Sequence, residues 1–195
     1  CSSSDDELDA LPEMFSATAR MAEECGFDGV DIKACHRYLL CELLSAFTRP
    51  GKYGGSFENR TRLLFNAMQA VRQVCSSEFI VTSRINIYDG FPYPYGFGVK
   101  EGGGLEVDLT EPILLIEKLQ NAGVKLLNIT MGNPYVNPHV NRPFKTGAYT
   151  PEEKAIEGVK RMLENTAVLQ KRSPNLSMIC SGVSYLAENA AHVAA

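Results

Sequence analysis

Gly26-Phe27-Asp28-Gly29-Val30-Asp31-Ile32 is the stretch on which the reading of the fold turns. It is short and rich in branched apolar residues, and a glycine opens it. Upstream, Leu11, Phe15, Ala19 and Ala22 recur at helical spacing. Pro12 predicts that this helix starts there, where a missing N–H costs nothing, and Gly26 predicts its end. A helix that stops at a glycine and runs straight into an apolar stretch is an αβ step. The stretch itself predicts a buried strand.

Working outward, the same step recurs. A stripe of Leu63, Leu64, Ala67, Val71 and Val74 predicts a helix over 58–74 that Ser56 can cap. Phe79 to Arg84 is the second strand, followed by a loop rich in Gly, Pro and aromatics over 89–104. Ile113, Leu114, Ile116 and Leu119 mark a helix closed by Gly123, and Val124 to Thr130 is the third strand. After a polar loop over 131–149, Thr150-Pro151-Glu152-Glu153 predicts a capping box and a helix start. Leu176 to Ser181 is the fourth strand, and Gly182 turns the chain into a last helix ending near Ala194.

The repeat is roughly 50 residues, longer than the ~30 of a minimal barrel unit, and the excess lies after the strands. Barrel enzymes build their sites from those loops. A doubly wound open sheet gives the same alternation. No G-x-G-x-x-G follows the first strand, which weighs against a dinucleotide fold.

Composition narrows the function. The net charge of −4 offers no basic footprint for nucleic acid or for an anionic membrane. No apolar run is long enough to span a bilayer, and Cys1-Ser2-Ser3-Ser4-Asp5-Asp6 lacks the regions of a secretory signal. The six cysteines form no C-x-x-C pair and do not combine with His36, His139 or His192 at zinc-ligand spacing, so no metal is expected. Most read as small buried apolar groups in a reducing compartment, which predicts a cytoplasmic protein.

Two segments then carry a resemblance. Residues 26 to 40 continue from the first strand as Lys33-Ala34-Cys35-His36-Arg37-Tyr38-Leu39-Leu40, and Tyr53-Gly54-Gly55-Ser56-Phe57-Glu58-Asn59-Arg60 follows. This pair resembles the old yellow enzyme family, the NADH:flavin oxidoreductases, whose members carry G-F-D-G-V-x-I-H-x-A-H-G-Y-L-L and then Y-G-G-S-x-E-N-R. The likeness continues more loosely through Arg84 and the Ala122-Gly123-Val124 turn to Ser181-Gly182. It implies an α/β fold of the TIM (β/α)8 barrel family. The chain would run from about strand four to strand seven as one partial barrel domain, 1–195, of four parallel strands.

The resemblance also implies an activity: hydride passing from NADH or NADPH through flavin mononucleotide (FMN) to an activated alkene or related small-molecule acceptor. Tyr38 matches the family's proton donor. His36 matches a residue that hydrogen-bonds the substrate carbonyl, where a donor stabilises developing enolate charge. Lys33 stands where the family usually has His; it keeps a donor but adds a point charge. Arg37 stands where the family usually has Gly. Arg84 matches an arginine against the flavin pyrimidine, and Ser181 with Gly182 a backbone site for the flavin phosphate. Asn133, Tyr135 and His139 could line the pocket, whereas Tyr53 to Arg60 read as structural.

Two other functions compete. One is a barrel lyase using Lys33 as a Schiff-base nucleophile; the other is a non-catalytic half-barrel remnant. Strands one to three and eight of the resembled barrel have no counterpart here. A four-stranded arc with open edges and a partly uncovered apolar face predicts that residues 1–195 alone bind flavin weakly or not at all and self-associate or behave as a partly ordered chain.

Overall fold

The computed structural model describes residues 3–183 and Tyr185. The last expected helix lies outside the described residues. Those described follow the order α1 (Asp5–Glu24), β1 (Gly29–Asp31), α2 (Leu39–Leu44), α3 (Phe57–Val74), β2 (Ile80–Asn86), α4 (Thr110–Asn121), β3 (Leu126–Thr130), a 3-10 turn (Pro138–Val140), α5 (Glu157–Arg172) and β4 (Ser177–Cys180). The strands form one sheet in the order β1-β2-β3-β4. All three pairings are parallel, with Val30 opposite Val81, Arg84 opposite Asn128 and Ile129 opposite Cys180. Parallel neighbours in chain order, each joined through a helix, are the arrangement expected of an arc of barrel.

Alternation splits the sheet into two faces. Ile32, Ala34, Val81, Ile85, Leu127 and Ile129 are buried in one core with Leu63, Leu64, Ala67 and Met68 of α3 and Leu115, Ile116 and Leu119 of α4. The other face carries Asp31, Thr82, Arg84 and Asn128. The uncovered face is therefore mainly polar rather than apolar as expected, although Ile80 and Ile179 stand exposed.

Two helix starts differ from the sequence reading. α1 begins at Asp5, and Pro12 lies inside it. The reason is a capping box one turn upstream: Ser4 Oγ accepts from Glu7 N at 3.2 Å and the Glu7 carboxylate accepts from Ser4 N at 2.7 Å. The segment around Tyr53 then pins the early turns, with Arg49 Nη1 on Asp5 at 2.7 Å and Tyr53 Oη donating to Asp9 at 2.6 Å. α5 starts at Glu157 rather than at Thr150. Thr150 Oγ1 instead meets Thr146 Oγ1 at 3.1 Å. Gly158 packs so closely on the 3-10 turn that a Cβ there would lie 1.9 Å from the His139 carbonyl oxygen. That docking sets where α5 begins.

The Tyr53–Arg60 segment behaves as scaffold. Ser56 Oγ caps α3 by accepting from Asn59 N at 3.3 Å. The Arg60 guanidinium is 3% exposed, donates to Gly55 O at 2.9 Å, pairs with Glu111 and lies 3.9 Å from the Phe47 ring centroid. Among the described residues no helix is long and apolar enough to cross a membrane, and no cluster of three or more metal-ligating side chains occurs.

Candidate active site

Each of the four strands delivers one side chain, at or just past its C-terminal end, to a common cavity of about 230 Å³: His36, Arg84, Thr130 and Ser181, with Gly182 and Arg142 beside them. Strand ends that converge in this way are where barrel enzymes place their chemistry. The strands themselves fix the geometry. β1 is prolonged past Asp31 by Ala34 N donating to Arg84 O at 2.8 Å and Asn86 N donating to Ala34 O at 3.1 Å. His36 therefore emerges beside the end of β2.

At His36 and Arg37 the backbone turns left-handed, with φ of 60° and 61°. Side chains other than glycine enter that region at a cost of order ~1–3 kcal/mol per residue, and surrounding contacts must enforce it. The His36 ring sits with Nε2 3.4 Å from Thr130 Oγ1. Burial, together with the Arg84 and Lys33 cations, lowers its pKa to about 4. At neutral pH the ring is therefore neutral and offers one N–H and one lone pair.

Arg84 lies on the sheet face turned away from the helices. Its backbone N donates to Asp31 Oδ1 at 2.6 Å and its Nη2 donates to Ser181 Oγ at 3.1 Å. The buried Nε has no hydrogen-bond partner. An unpartnered buried donor on an arginine is costly, and it suits a site that receives an acceptor from a bound group. Ser181 is held by its N donating to Ile129 O at 3.2 Å, and Gly182 follows with φ of 95°. Cation, hydroxyl and a left-handed glycine after a strand suit an anionic or carbonyl-rich ligand. No carboxylate lines the cavity among the described residues.

Lys33 and Tyr38 stand outside this lining and meet each other. Lys33 Nζ is 3.6 Å from the Tyr38 ring centroid, and Tyr38 is 49% exposed. The two left-handed residues between them reverse the chain and fold the phenol back over the ammonium. Lys33 and His36 thus do not share the cavity as expected, although the lysine's charge is felt at the imidazole. The Tyr38 phenol beside Tyr135 raises the Tyr135 pKa.

Of the other expected pocket residues, Asn133 Nδ2 donates to the His36 carbonyl at 3.2 Å. His139 turns elsewhere, with Nδ1 2.6 Å from Tyr149 Oη. Thr130 and Arg142 escaped the sequence reading. Thr130 could have been found by its place at the end of a strand, whereas nothing in the loop composition singles out Arg142.

Comparison with known proteins agrees with this geometry. The cinnamate reductase of Clostridium sporogenes is 36% identical over 162 residues, 79% of this chain and 24% of that protein. An NADPH dehydrogenase of Clostridium acetobutylicum is 30% identical over 128 residues, 64% of this chain and 37% of that one. The chain thus spans well under half the length of these curated relatives. Among solved structures, the old yellow enzyme homologue of Zymomonas mobilis aligns over 92% of this chain and 49% of its own, with a TM-score of 0.54 and 22% identity. Histamine dehydrogenase from Rhizobium sp. 4-9 aligns over 92% of this chain and 26% of its own, with a TM-score of 0.59 and 18% identity. Both share the fold. A sequence profile described as the NADH:flavin oxidoreductase / NADH oxidase family matches residues 3–161, and with that match the chain belongs to this family.

Proposed function

We propose that this chain carries the flavin-contacting and substrate-contacting strand ends of an FMN-dependent oxidoreductase that moves hydride from NADH or NADPH to an activated alkene or related acceptor. The observation that carries the reading is the buried, unpartnered Nε of Arg84, on a cavity shared with His36, Ser181 and Gly182. FMN, when bound, supplies the ring that accepts and passes on the hydride.

The chain's own residues have separable tasks. Arg84 has a donor to spare for an acceptor on the cofactor, and its fixed charge favours the anionic reduced form. Ser181 and Gly182 offer a hydroxyl and a close-approach backbone to an anionic group. The neutral His36 ring has an N–H to give a substrate carbonyl oxygen, where negative charge grows as hydride arrives. Tyr38, which stands outside the cavity lining, is assigned the phenolic proton that the substrate α-carbon takes up. The Lys33 ammonium lies against the Tyr38 ring, and the half-exposed phenol can be reprotonated from solvent.

The lyase alternative fits less well. A Schiff-base lysine attacks as the neutral amine, usually from an apolar pocket. Lys33 is exposed and rests against an aromatic face rather than in an apolar pocket. Support for the relatives' chemistry comes from proteins that act, by name, on NADPH and on cinnamate.

The test is the visible absorption spectrum of the purified full-length protein. The expected result is a flavin spectrum that NADH or NADPH bleaches under anaerobic conditions and that an activated alkene restores. A colourless protein that takes up no FMN on titration contradicts the proposal.

A further inference from the structure

His36 is held in its left-handed backbone by a closed circuit of side-chain hydrogen bonds drawn from three separate loops. His36 N donates to Asn86 Oδ1 at 3.3 Å. Asn86 Nδ2 donates to Asp89 Oδ1 at 2.7 Å and to the Gly132 carbonyl at 3.0 Å. The Asp89 carbonyl accepts from Asn137 Nδ2 at 2.9 Å. Asn137 Oδ1 accepts from Asn133 N at 2.6 Å, and Asn133 Nδ2 returns to the His36 carbonyl at 3.2 Å. Both backbone polar groups of His36 are thereby tied, one to the last residue of β2 and the other to the loop after β3.

We propose that Asn86, Asp89, Asn133 and Asn137 are positioning residues, which set where the His36 imidazole stands in the cavity and so act on substrate through it. The proposal takes its catalytic meaning from the oxidoreductase reading above.

Three features separate this circuit from ordinary loop tethering. First, all four members are nearly inaccessible: Asn86 and Asp89 are 0% exposed, Asn137 6% and Asn133 7%. Buried polar side chains are costly unless satisfied, and networks of them fix one arrangement. Second, the backbone makes room for the circuit. A Cβ at Gly90 would lie 2.9 Å from Asn137 Nδ2, and one at Gly132 would lie 3.1 Å from Asn137 Oδ1 and 2.8 Å from Val140 Cβ. Both glycines have positive φ, 68° and 61°. Third, the neighbouring left-handed residue is clamped to the same hub. The Arg37 guanidinium lies 3.5 Å from Asp89 Oδ2 and donates to Ser45 Oγ at 3.1 Å. The strained pair is thus gripped through its backbone at His36 and through its side chain at Arg37. The circuit reaches the cavity through His36, whose ring meets Thr130 at the end of β3.

The test follows the His36 ring itself in full-length protein labelled with carbon-13 histidine, its resonance assigned by its disappearance in His36→Gln. The wild-type ring is expected to titrate at about 4. Asn133→Ala removes the tie to the carbonyl and Asn86→Ala the tie to the N–H. Each should raise the titration toward the ordinary value near ~6.5, a tenfold or greater change in acidity constant, as the ring leaves its buried place. Asn59→Ala is the control. Its side chain donates to the Gly54 carbonyl far from His36, so it should lower the melting temperature and leave the titration where it was. If Asn86→Ala does not fold, Asn133→Ala decides alone. An unmoved His36 titration in the circuit variants overturns the proposal, and so does an equal shift in Asn59→Ala. Failure of the wild-type protein to bind FMN would remove the oxidoreductase reading and leave the titration result standing by itself.

Discussion

The two faces of the sheet, built from the same strands, serve opposite ends. On the helix-covered face, Ile32, Val81, Ile85, Leu127 and Ile129 are closed off from water. On the other face, one residue away along each strand, stand Asp31, Arg84 and Asn128, linked to one another or to Ser181 except at Arg84 Nε, which has no partner, and Thr82, which donates to the Leu126 carbonyl. A period of two lets one strand hold up the fold on one side and present chemistry on the other. The contrast teaches that stability and function are separable here by the direction in which a side chain points. A change on one face should leave the other's property largely intact.

The sharpest break in that contrast comes from Tyr38. In flavin-loaded protein, Tyr38→Phe should slow alkene reduction by about 10²–10⁴, the usual range for a lost general acid, while reduction of the flavin by nicotinamide stays close to wild type. Rapid-mixing measurement of the two half-reactions checks this, and equal slowing of both would contradict a proton-donor role. Next in size is Ile85→Ala on the helix-covered face. Ile85 is fully buried, so the change should cost about 2–5 kcal/mol in denaturant unfolding, with FMN affinity unchanged in the protein that remains folded. A loss under about 1 kcal/mol would mean that this face is not the core it is taken to be.

A smaller effect is written in pH. Burial holds the His36 ring neutral, so the folded chain binds that proton more weakly than the unfolded chain. The contribution of His36 to stability is therefore complete above its ordinary value of about 6.5 and is lost as pH falls toward about 4. Part of the ring faces solvent, so the loss should be of the order of 1 kcal/mol. Unfolding midpoints at the two ends of that window should diverge less in His36→Gln than in wild type. Identical slopes would show that the imidazole is not held neutral. The smallest effect belongs to Ile179→Ala. At 52% exposed it should change stability by less than about 0.5 kcal/mol, measured in the same unfolding assay, which sharpens the contrast with Ile85.

The two faces were also unequally legible in the sequence. Apolar spacing located the second strand, α3 and α4 within a few residues, because the buried face writes itself as periodicity. The capping box at Ser4 is also written in the sequence, as Ser4-Asp5-Asp6-Glu7, while Pro12, inside the same helix, carries a competing start signal. The start of α5 could not be read, since Gly158 against the His139 carbonyl is a contact between loop and helix that no local pattern announces. On the open face, His36, Arg84 and Ser181 were found through a motif, and the structure gathers them on one cavity. Lys33 and Tyr38 were found in the same way and lie outside it, because the left-handed turn at His36 and Arg37 could not be foreseen in a sequence with no glycine there. Asn86, Asp89, Asn133 and Asn137 were hidden or half-hidden for another reason. Asn and Asp are ordinary loop residues, and the bonds that join them to each other and to His36 span up to 97 positions of chain.

The central claim is that the open face holds a flavin through the donor Arg84 keeps free. FMN titration of the apo form of the full-length protein, wild type against Arg84→Met, tests it most directly, with the melting temperature as a check that both are folded. The claim predicts tight binding by wild type and a loss of about tenfold to a hundredfold in the variant, the range for one charge-assisted hydrogen bond. Equal affinity in two folded proteins would contradict it.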